Sequence, residues 1–324
     1  MPDGIADAIR GARSILLASH VRPDGDALGS LLAFYHALRL LGKEVTAYCR
    51  DKIPSVYGFL PGSDRIVHNL DFTDAFDTVV LLDCSELSRV GDEAEMLKSI
   101  GTMIVIDHHL SNDGDTPLSL IDRKASSTGE ILVRLFDKLG ITMTKEIAVN
   151  LYTAVVTDTG SFRYSNTTRD TFILAARLVE AGVEPWKISE QVYESKPLPA
   201  LKLLALALET MTLELEGRMA SIVVTQDMLV EAGALPEHTE GLIDAARSVE
   251  GVLIAVFYYE MPDGTYKISL RSKGSVDVER LAKKFGGGGH LNASACRARG
   301  DLAEIRERVR IAAVEILERT GDIS

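Results

Sequence analysis

Histidines and aspartates recur in four places where their spacing could serve one reaction. His20-Val-Arg-Pro-Asp24-Gly-Asp26 sets one imidazole and two carboxylates on a short glycine-containing stretch. Asp83 ends the apolar run 78–82, Asp107-His108-His109 ends the run 103–106, and Asp158 follows Val155-Val-Thr. Two carboxylates two residues apart can aim at one ion or at two adjacent ions, and His20 adds a nitrogen. Mixed nitrogen and oxygen donors suit Mn²⁺, Zn²⁺ or Fe²⁺ better than Mg²⁺ or Ca²⁺, which prefer oxygen. His20, Asp24, Asp26, Asp83, His108 and Asp158 together offer more ligands than one ion can use. Two ions about 3.5–4 Å apart, bridged by a carboxylate and a water, would use them all, and such a pair hydrolyses phosphate esters. Without cations, so many clustered acids would repel one another.

Each residue also has a plainer reading. Asp26 precedes a helical pattern and could be its N-cap. Asp83 and Asp158 could be turn or cap residues. Asp107-His108-His109 is more demanding, because three polar side chains at the end of a buried strand all need partners. The last cluster is Phe285-Gly286-Gly-Gly-Gly289-His290. Consecutive glycines let backbone approach a ligand and present N–H groups to an anion, or simply make a flexible linker. Arg271 is a further anion-binding candidate, or a solvated charge at a strand end.

The elements that must position these residues alternate. Residues 14–19, 45–48, 78–82 and 103–106 read as short buried strands of the kind found in parallel sheets. Between and after them lie helical patterns, one carrying Leu28, Leu31, Leu32, Tyr35 and Leu38, others over 129–139 and 145–156. This alternation predicts an α/β fold with a mostly parallel sheet, in which sites lie at the carboxyl ends of the strands. The polar clusters fall there. Ser195-Lys-Pro-Leu-Pro199 interrupts the helical texture and reads as a hinge, with a helix-like stretch over 200–211. Beyond it, strands are expected over 219–224, 252–260 and 265–271, the last two joined by the turn Met261-Pro-Asp-Gly264, and helices over 276–285 and 301–319. The expected division is a catalytic domain over 1–190, a linker over 191–212 and a smaller α/β domain over 213–324.

The chain has 324 residues, which suggests about two domains. With 35 basic and 47 acidic residues its formal charge is −12, which argues against coating long nucleic acid but not against gripping a short anion in a metal-loaded pocket. Three scattered cysteines make no disulfide framework and fit a reducing compartment. No apolar run is long enough to span a bilayer, and the first residues lack a signal-peptide pattern, so the expected location is the cytoplasm, with no membrane partner.

SHVRPDGDALGS, LLDCS, VIDHH, VVTDTGSF and RSKG…FGGGGH, in this order, resemble the DHH phosphoesterase family, subfamily DHH–DHHA1, across essentially the whole chain. Within it the chain looks like the group of oligoribonucleases (nanoRNases) and 3′,5′-adenosine bisphosphate (pAp) phosphatases. The resemblance implies an N-terminal DHH domain and a C-terminal DHHA1 domain. It implies that His20, Asp24 and Asp83 hold one Mn²⁺, that Asp26, Asp83, His108 and Asp158 hold the other, and that Asp83 bridges. His109 would touch the scissile phosphate, and Asp107 would orient a ligand histidine. Arg271, Ser272, Gly287, Gly288, Gly289 and His290 would hold the terminal nucleotide. Cys296 departs from the small residue expected there. The implied substrates are short RNA oligonucleotides, the linear dinucleotides pApA and pGpG, and pAp; a homodimer is compatible with this reading. The alternatives are a polyphosphatase or pyrophosphatase, and a nucleotide-sensing module that has lost catalysis.

Overall fold

The computed structural model describes residues 3–70, 76–109, 112, 114 and 116–320. It divides into two compact units, one ending at Ser195 and the other beginning at Lys196.

The first unit begins with α1 (Asp3–Gly11), β1 (Ser14–Ala18), α2 (Gly25–Leu40), β2 (Glu44–Tyr48), β3 (Ile66–Val67) and β4 (Thr78–Leu82). It continues through α3 (Ala94–Leu97), β5 (Thr102–Asp107), β6 (Ser119–Ile121), α4 (Thr128–Leu139), α5 (Lys145–Asp158), α6 (Arg169–Glu180) and α7 (Pro185–Ser189). The strands form one sheet in the order β3-β2-β1-β4-β5-β6, and every pairing is parallel. β4 shows why: all of Thr-Val-Val-Leu-Leu is buried, as a strand covered on both faces requires. Alternate residues serve opposite layers. Ile15, Leu17, Val80, Leu82, Ile104 and Ile106 join the larger core with α2, α4 and α5, while Leu16, Ala18, Val79, Leu81 and Val105 face the thinner one that includes Leu97 of α3. The expected strands and helices of this half are present. The short strands β3 and β6 and the helices α1, α3, α6 and α7 are additions; strands of two or three residues leave no readable alternation.

The closest helix packing is between α2 and α5. A Cβ on Gly29 would lie 2.4 Å from the Asn150 carbonyl oxygen, and one on Gly25 would lie 2.4 Å from Oγ1 of Thr157. Only glycine permits this approach.

The second unit contains α8 (Leu198–Glu209), β7 (Thr212–Glu214), β8 (Met219–Val224), α9 (Gln226–Ala232), α10 (Ile243–Arg247), β9 (Ile254–Glu260) and β10 (Thr265–Ser272). It ends with α11 (Val278–Lys283), β11 (Gly288–His290), β12 (Ala293–Arg299) and α12 (Leu302–Thr320). Its sheet runs β11-β12-β10-β9-β8-β7 and is mixed, with β8 and β9 parallel and the rest antiparallel. α11 and α12 cover one face; α8, through Leu203 and Ala207, covers the other with α9 and α10. The expected β9–β10 hairpin is present, and Asp263 Oδ1 accepts the backbone N–H of Thr265 at 3.0 Å. Among the described residues no helix is long and apolar enough to cross a membrane.

Gly29→Ala should destabilise the first unit by about 1–3 kcal/mol, because backbone rather than a flexible side chain opposes the new methyl group. Gly11→Ala, at the end of α1 with nothing within 4 Å, should leave it unchanged or slightly stabilised. Urea unfolding of the two variants checks this; equal midpoints would contradict the packing argument.

Candidate active site

Register brings the carboxyl ends of three strands side by side. Ala18 pairs with Leu81, and Leu82 with Ile106, so His20, Asp83 and Asp107 leave the sheet at one edge. Asp83 has a left-handed backbone with φ of 54°, a conformation uncommon outside glycine, asparagine and aspartate. It turns the chain out of β4 while its own N–H still donates to the Ile106 carbonyl at 3.0 Å.

Two imidazoles are aimed at these acids in the same way. His20 donates Nδ1–H to the Val21 carbonyl at 3.0 Å and sets Nε2 3.5 Å from Asp83 Oδ2. His108 donates Nδ1–H to the Ala125 carbonyl at 3.3 Å. Its Nε2 stands 3.6 Å from Asp26 Oδ2, 3.6 Å from Asp83 Oδ1 and 3.5 Å from Asp158 Oδ2. A backbone carbonyl on Nδ1 fixes the tautomer that presents Nε2 as a ligand. Separations of 3.5–3.6 Å exceed ordinary hydrogen bonds and suit donors that share a cation. The ligand atoms of His20, Asp24 and Asp83 lie within 4.8 Å of one another, as do those of Asp26, Asp83 and His108, and Asp83 belongs to both groups. This donor set fits divalent cations that accept nitrogen and oxygen ligands together.

The carboxylates are held from behind. Asp24, not Asp26, is the N-cap of α2: its Oδ1 accepts the Ala27 N–H at 3.0 Å. The cap reading of Asp26 is therefore corrected. Asp26 lies further in, on the first turn of the helix, and is buried. It accepts N–H groups of Thr128 at 2.7 Å and Gly129 at 3.1 Å, and the Ser30 hydroxyl at 2.9 Å. Thr128 and Gly129 open α4, so a helix N-terminus faces this carboxylate. The Thr128 hydroxyl donates to Asp83 Oδ1 at 3.1 Å. Asp107 Oδ1 accepts Nδ1–H of His109 at 2.7 Å and the backbone N–H groups of His108 and His109, while Oδ2 accepts from Asn112 at 2.8 Å. The imidazole that Asp107 orients is thus His109. Sequence reasoning missed Thr128, Asn112 and Asn166, the last of which donates to Asp158. Asn112 and Asn166 follow Asp107 and Asp158 closely enough to have been a signal; Thr128 is distant in sequence.

Electrostatics reflect this convergence. Burial opposes charge on His108, yet Asp158, Asp26 and Asp83 outweigh it and hold the imidazole up at about 9. Burial and the charge of Asp83 push Asp26 well above the usual carboxylate range. Asp158 is pushed up to about 6 by burial, against the pull of His108. Burial would raise Asp83 too, but the adjoining His20 imidazole and the charges of His109 and His108 keep it well below that range. His20 and His109 are raised as well: burial opposes their charge, but the Asp83 carboxylate beside His20 and the hydrogen bond from His109 to Asp107 prevail.

The glycine cluster lies in the second unit. Arg271 on β10 pairs with Ala293 on β12, which pairs with His290 on β11, so Arg271 and His290 occupy one row on one face of the sheet with an alanine between them. Ser272 alternates to the opposite face, is buried, and donates its hydroxyl to the Val276 carbonyl at 2.6 Å. The N–H of Gly287 donates to the Ala282 carbonyl at 2.9 Å, ending α11. Cβ atoms on Gly287 and Gly289 would lie 2.2 Å and 2.5 Å from carbonyl oxygens of β12. Close strand packing therefore demands those two glycines, whereas Gly288 has open space. Cys296 fills the core beneath.

Proton linkage gives a test. At pH 7.5 the raised His108 carries a proton, and a cation must displace it. Divalent metal uptake should release about one proton or more, seen as a calorimetric enthalpy that varies with the ionisation enthalpy of the buffer, and affinity should weaken from pH 8 to pH 6. In the metal-free chain this raised value favours the fold fully below about 6.5 and progressively less as pH rises through about 9. Metal uptake without proton release would contradict the assignment of His108.

Residues 14–155 match the DHH family, N-terminal domain, and residues 220–315 match the DHHA1 domain. The bifunctional oligoribonuclease and PAP phosphatase NrnA of Thermus thermophilus is 35% identical over 320 residues, covering 98% of this chain and 94% of that protein. The protein of the same name from Bacillus subtilis is 30% identical over 284 residues, covering 87% and 88%. A solved exopolyphosphatase-related protein from Bacteroides fragilis superimposes with a TM-score of 0.89 at 30% identity, covering 96% of each chain. The ordered clusters, the parallel sheet that gathers them and these likenesses lead to one conclusion: the chain belongs to the DHH family of phosphoesterases and carries a DHHA1 domain.

Proposed function

We propose that this phosphoesterase is a Mn²⁺-dependent hydrolase of very short RNA, of linear dinucleotides such as pApA and pGpG, and of pAp. The observation that carries this reading is the Asp83 carboxylate, shared by two groups of nitrogen and oxygen donors. His20, Asp24 and Asp83 would hold one cation; Asp26, Asp83, His108 and Asp158 would hold a second. A bound pair would supply positive charge to the phosphate and lower the pKa of water enough to provide hydroxide as the nucleophile near neutral pH. The protein's own work is to place and neutralise. Asp107 holds His109 through Nδ1, and a protonated His109 offers Nε2–H to a phosphate oxygen as charge develops there. Asp107 thereby acts through His109 rather than on substrate. In the second unit Arg271 and His290, with the Gly288 and Gly289 backbone, would grip a terminal nucleotide. Relatives named as bifunctional oligoribonucleases and PAP phosphatases support the substrate class. Three buried free cysteines support work in the cytoplasm.

The likeness to the exopolyphosphatase-related protein of B. fragilis favours inorganic polyphosphate as a second reading. One panel separates them: pAp, pApA, pGpG, RNAs of graded length, polyphosphate and pyrophosphate, each with Mn²⁺, with products resolved. Turnover of nucleotides with little release from polyphosphate is expected. kcat/KM should fall beyond about five nucleotides, because each further phosphate meets an acidic surface, and added salt should shrink the penalty. A 24-nucleotide RNA cut as efficiently as a dinucleotide would overturn the short-substrate reading.

Asp83→Asn keeps shape and tolerates the left-handed backbone while removing the shared charge. It should lower kcat by well over about a hundredfold, since even partners behind a metal ligand commonly cost ten- to a hundredfold. Steady-state rates on pApA measure this; activity within tenfold of the parent would rule out the shared role.

A further inference from the structure

Asn166 is eight residues beyond Asp158, in a loop outside the acidic clusters. Its Nδ2 lies 2.9 Å from the Ser126 carbonyl, 3.1 Å from the Asp158 carbonyl and 3.4 Å from Asp158 Oδ2. Three oxygens around one end identify that end as the amide NH₂. Its two protons thus tie the last residue of α5 to the segment that leads into α4.

That segment governs the position of Asp26. Ser127 caps α4, and the next two amides hold the Asp26 carboxylate. Ser126 is clamped further: its N–H and hydroxyl both donate to Glu130 Oε2, at 3.0 Å and 2.6 Å. Glu130 in turn accepts from Thr171, the residue that completes the N-terminal cap of α6, at 3.4 Å. Asn166 therefore links Asp158 to the scaffold that fixes Asp26.

The loop itself is costly to form. Gly160, Ser161 and Phe162 are all left-handed, with φ of 55°, 62° and 62°. Such conformations in serine and phenylalanine persist only where surroundings impose them. The Thr159 hydroxyl imposes part of this, accepting the Phe162 N–H at 3.0 Å while donating to the Val155 carbonyl at 2.7 Å. A tight reversal directly after Asp158 brings Asn166 back onto it.

We propose that Asn166 is a positioning residue that sets the Asp158 carboxylate for the cation shared with Asp26 and His108. This rests on the metal-binding reading of the acidic site, and the test separates the two. Asn166→Asp keeps volume and replaces a donor by an acceptor against three oxygens; Asn166→Ala removes the group. Mn²⁺ is titrated into metal-stripped full-length protein by calorimetry, with thermal unfolding of each metal-free variant alongside. The expected result is a parent that takes up two ions, and variants in which one of them binds about 10–100-fold more weakly while the other is unchanged. Either variant suffices if the other does not fold. Unchanged affinity at both sites would overturn the proposal, as would equal weakening of both accompanied by a lowered unfolding temperature, which would mark a general structural role. A parent that takes up no divalent ion would overturn the metal reading itself, and this inference with it.

Discussion

Mutual repulsion among converging carboxylates is the constraint on which the first unit is built. Asp26, Asp83 and Asp158 all lie within 3.6 Å of one imidazole nitrogen, and Asp26 and Asp83 are buried. Burying like charges together is among the costlier things a fold can do. The protein spreads the cost. A helix N-terminus and a serine face Asp26, a threonine faces Asp83, and three imidazoles with raised proton affinity balance the remainder. Cations satisfy the same geometry better than protons, because several oxygens and nitrogens can share one ion.

Backbone proximity makes the convergence possible. Asp26 lies on the first turn of α2 and Asp158 closes α5, so the acids meet only if the two helices nearly touch. Gly25 stands between Asp24 and Asp26, and a methyl group there would strike Thr157, the neighbour of Asp158. Gly29 allows the same approach one turn later. These glycines serve the site through helix spacing, and their cost in helix propensity is offset by the extensive burial of α2.

The second unit solves a different problem. Its glycine run is neither a free loop nor a linker: it lies so closely on β12, partly as the edge strand β11, that side chains at Gly287 and Gly289 would collide with carbonyl oxygens. The close pairing places His290 in one row with Arg271. A guanidinium and an imidazole thus lie on one sheet face, about two strand spacings apart.

Much of the centre was legible in the order of residues. Short apolar runs ending in Asp83 and in Asp107-His108-His109 announced strands whose carboxyl ends carry polar groups, and parallel sheets put sites there. Residue type also announced the chemistry, since mixed imidazole and carboxylate donors suit only some cations. Which partner each acid meets was not legible. Thr128 reaches Asp26 and Asp83 from 102 and 45 positions away, and such pairings arise from helix packing, which leaves no local pattern. The N-cap of α2 is Asp24 rather than Asp26 because the helix begins at Gly25, and an Asp24 side chain that accepts the Ala27 N–H was not distinguishable in sequence from one at Asp26. Ser272 turned away because strand alternation, not nearness to Arg271 in sequence, sets which face a side chain joins. The sequence determined which chemistry this protein could hold; the tertiary structure decided which atoms face one another, because that depends on distances between segments far apart in the chain.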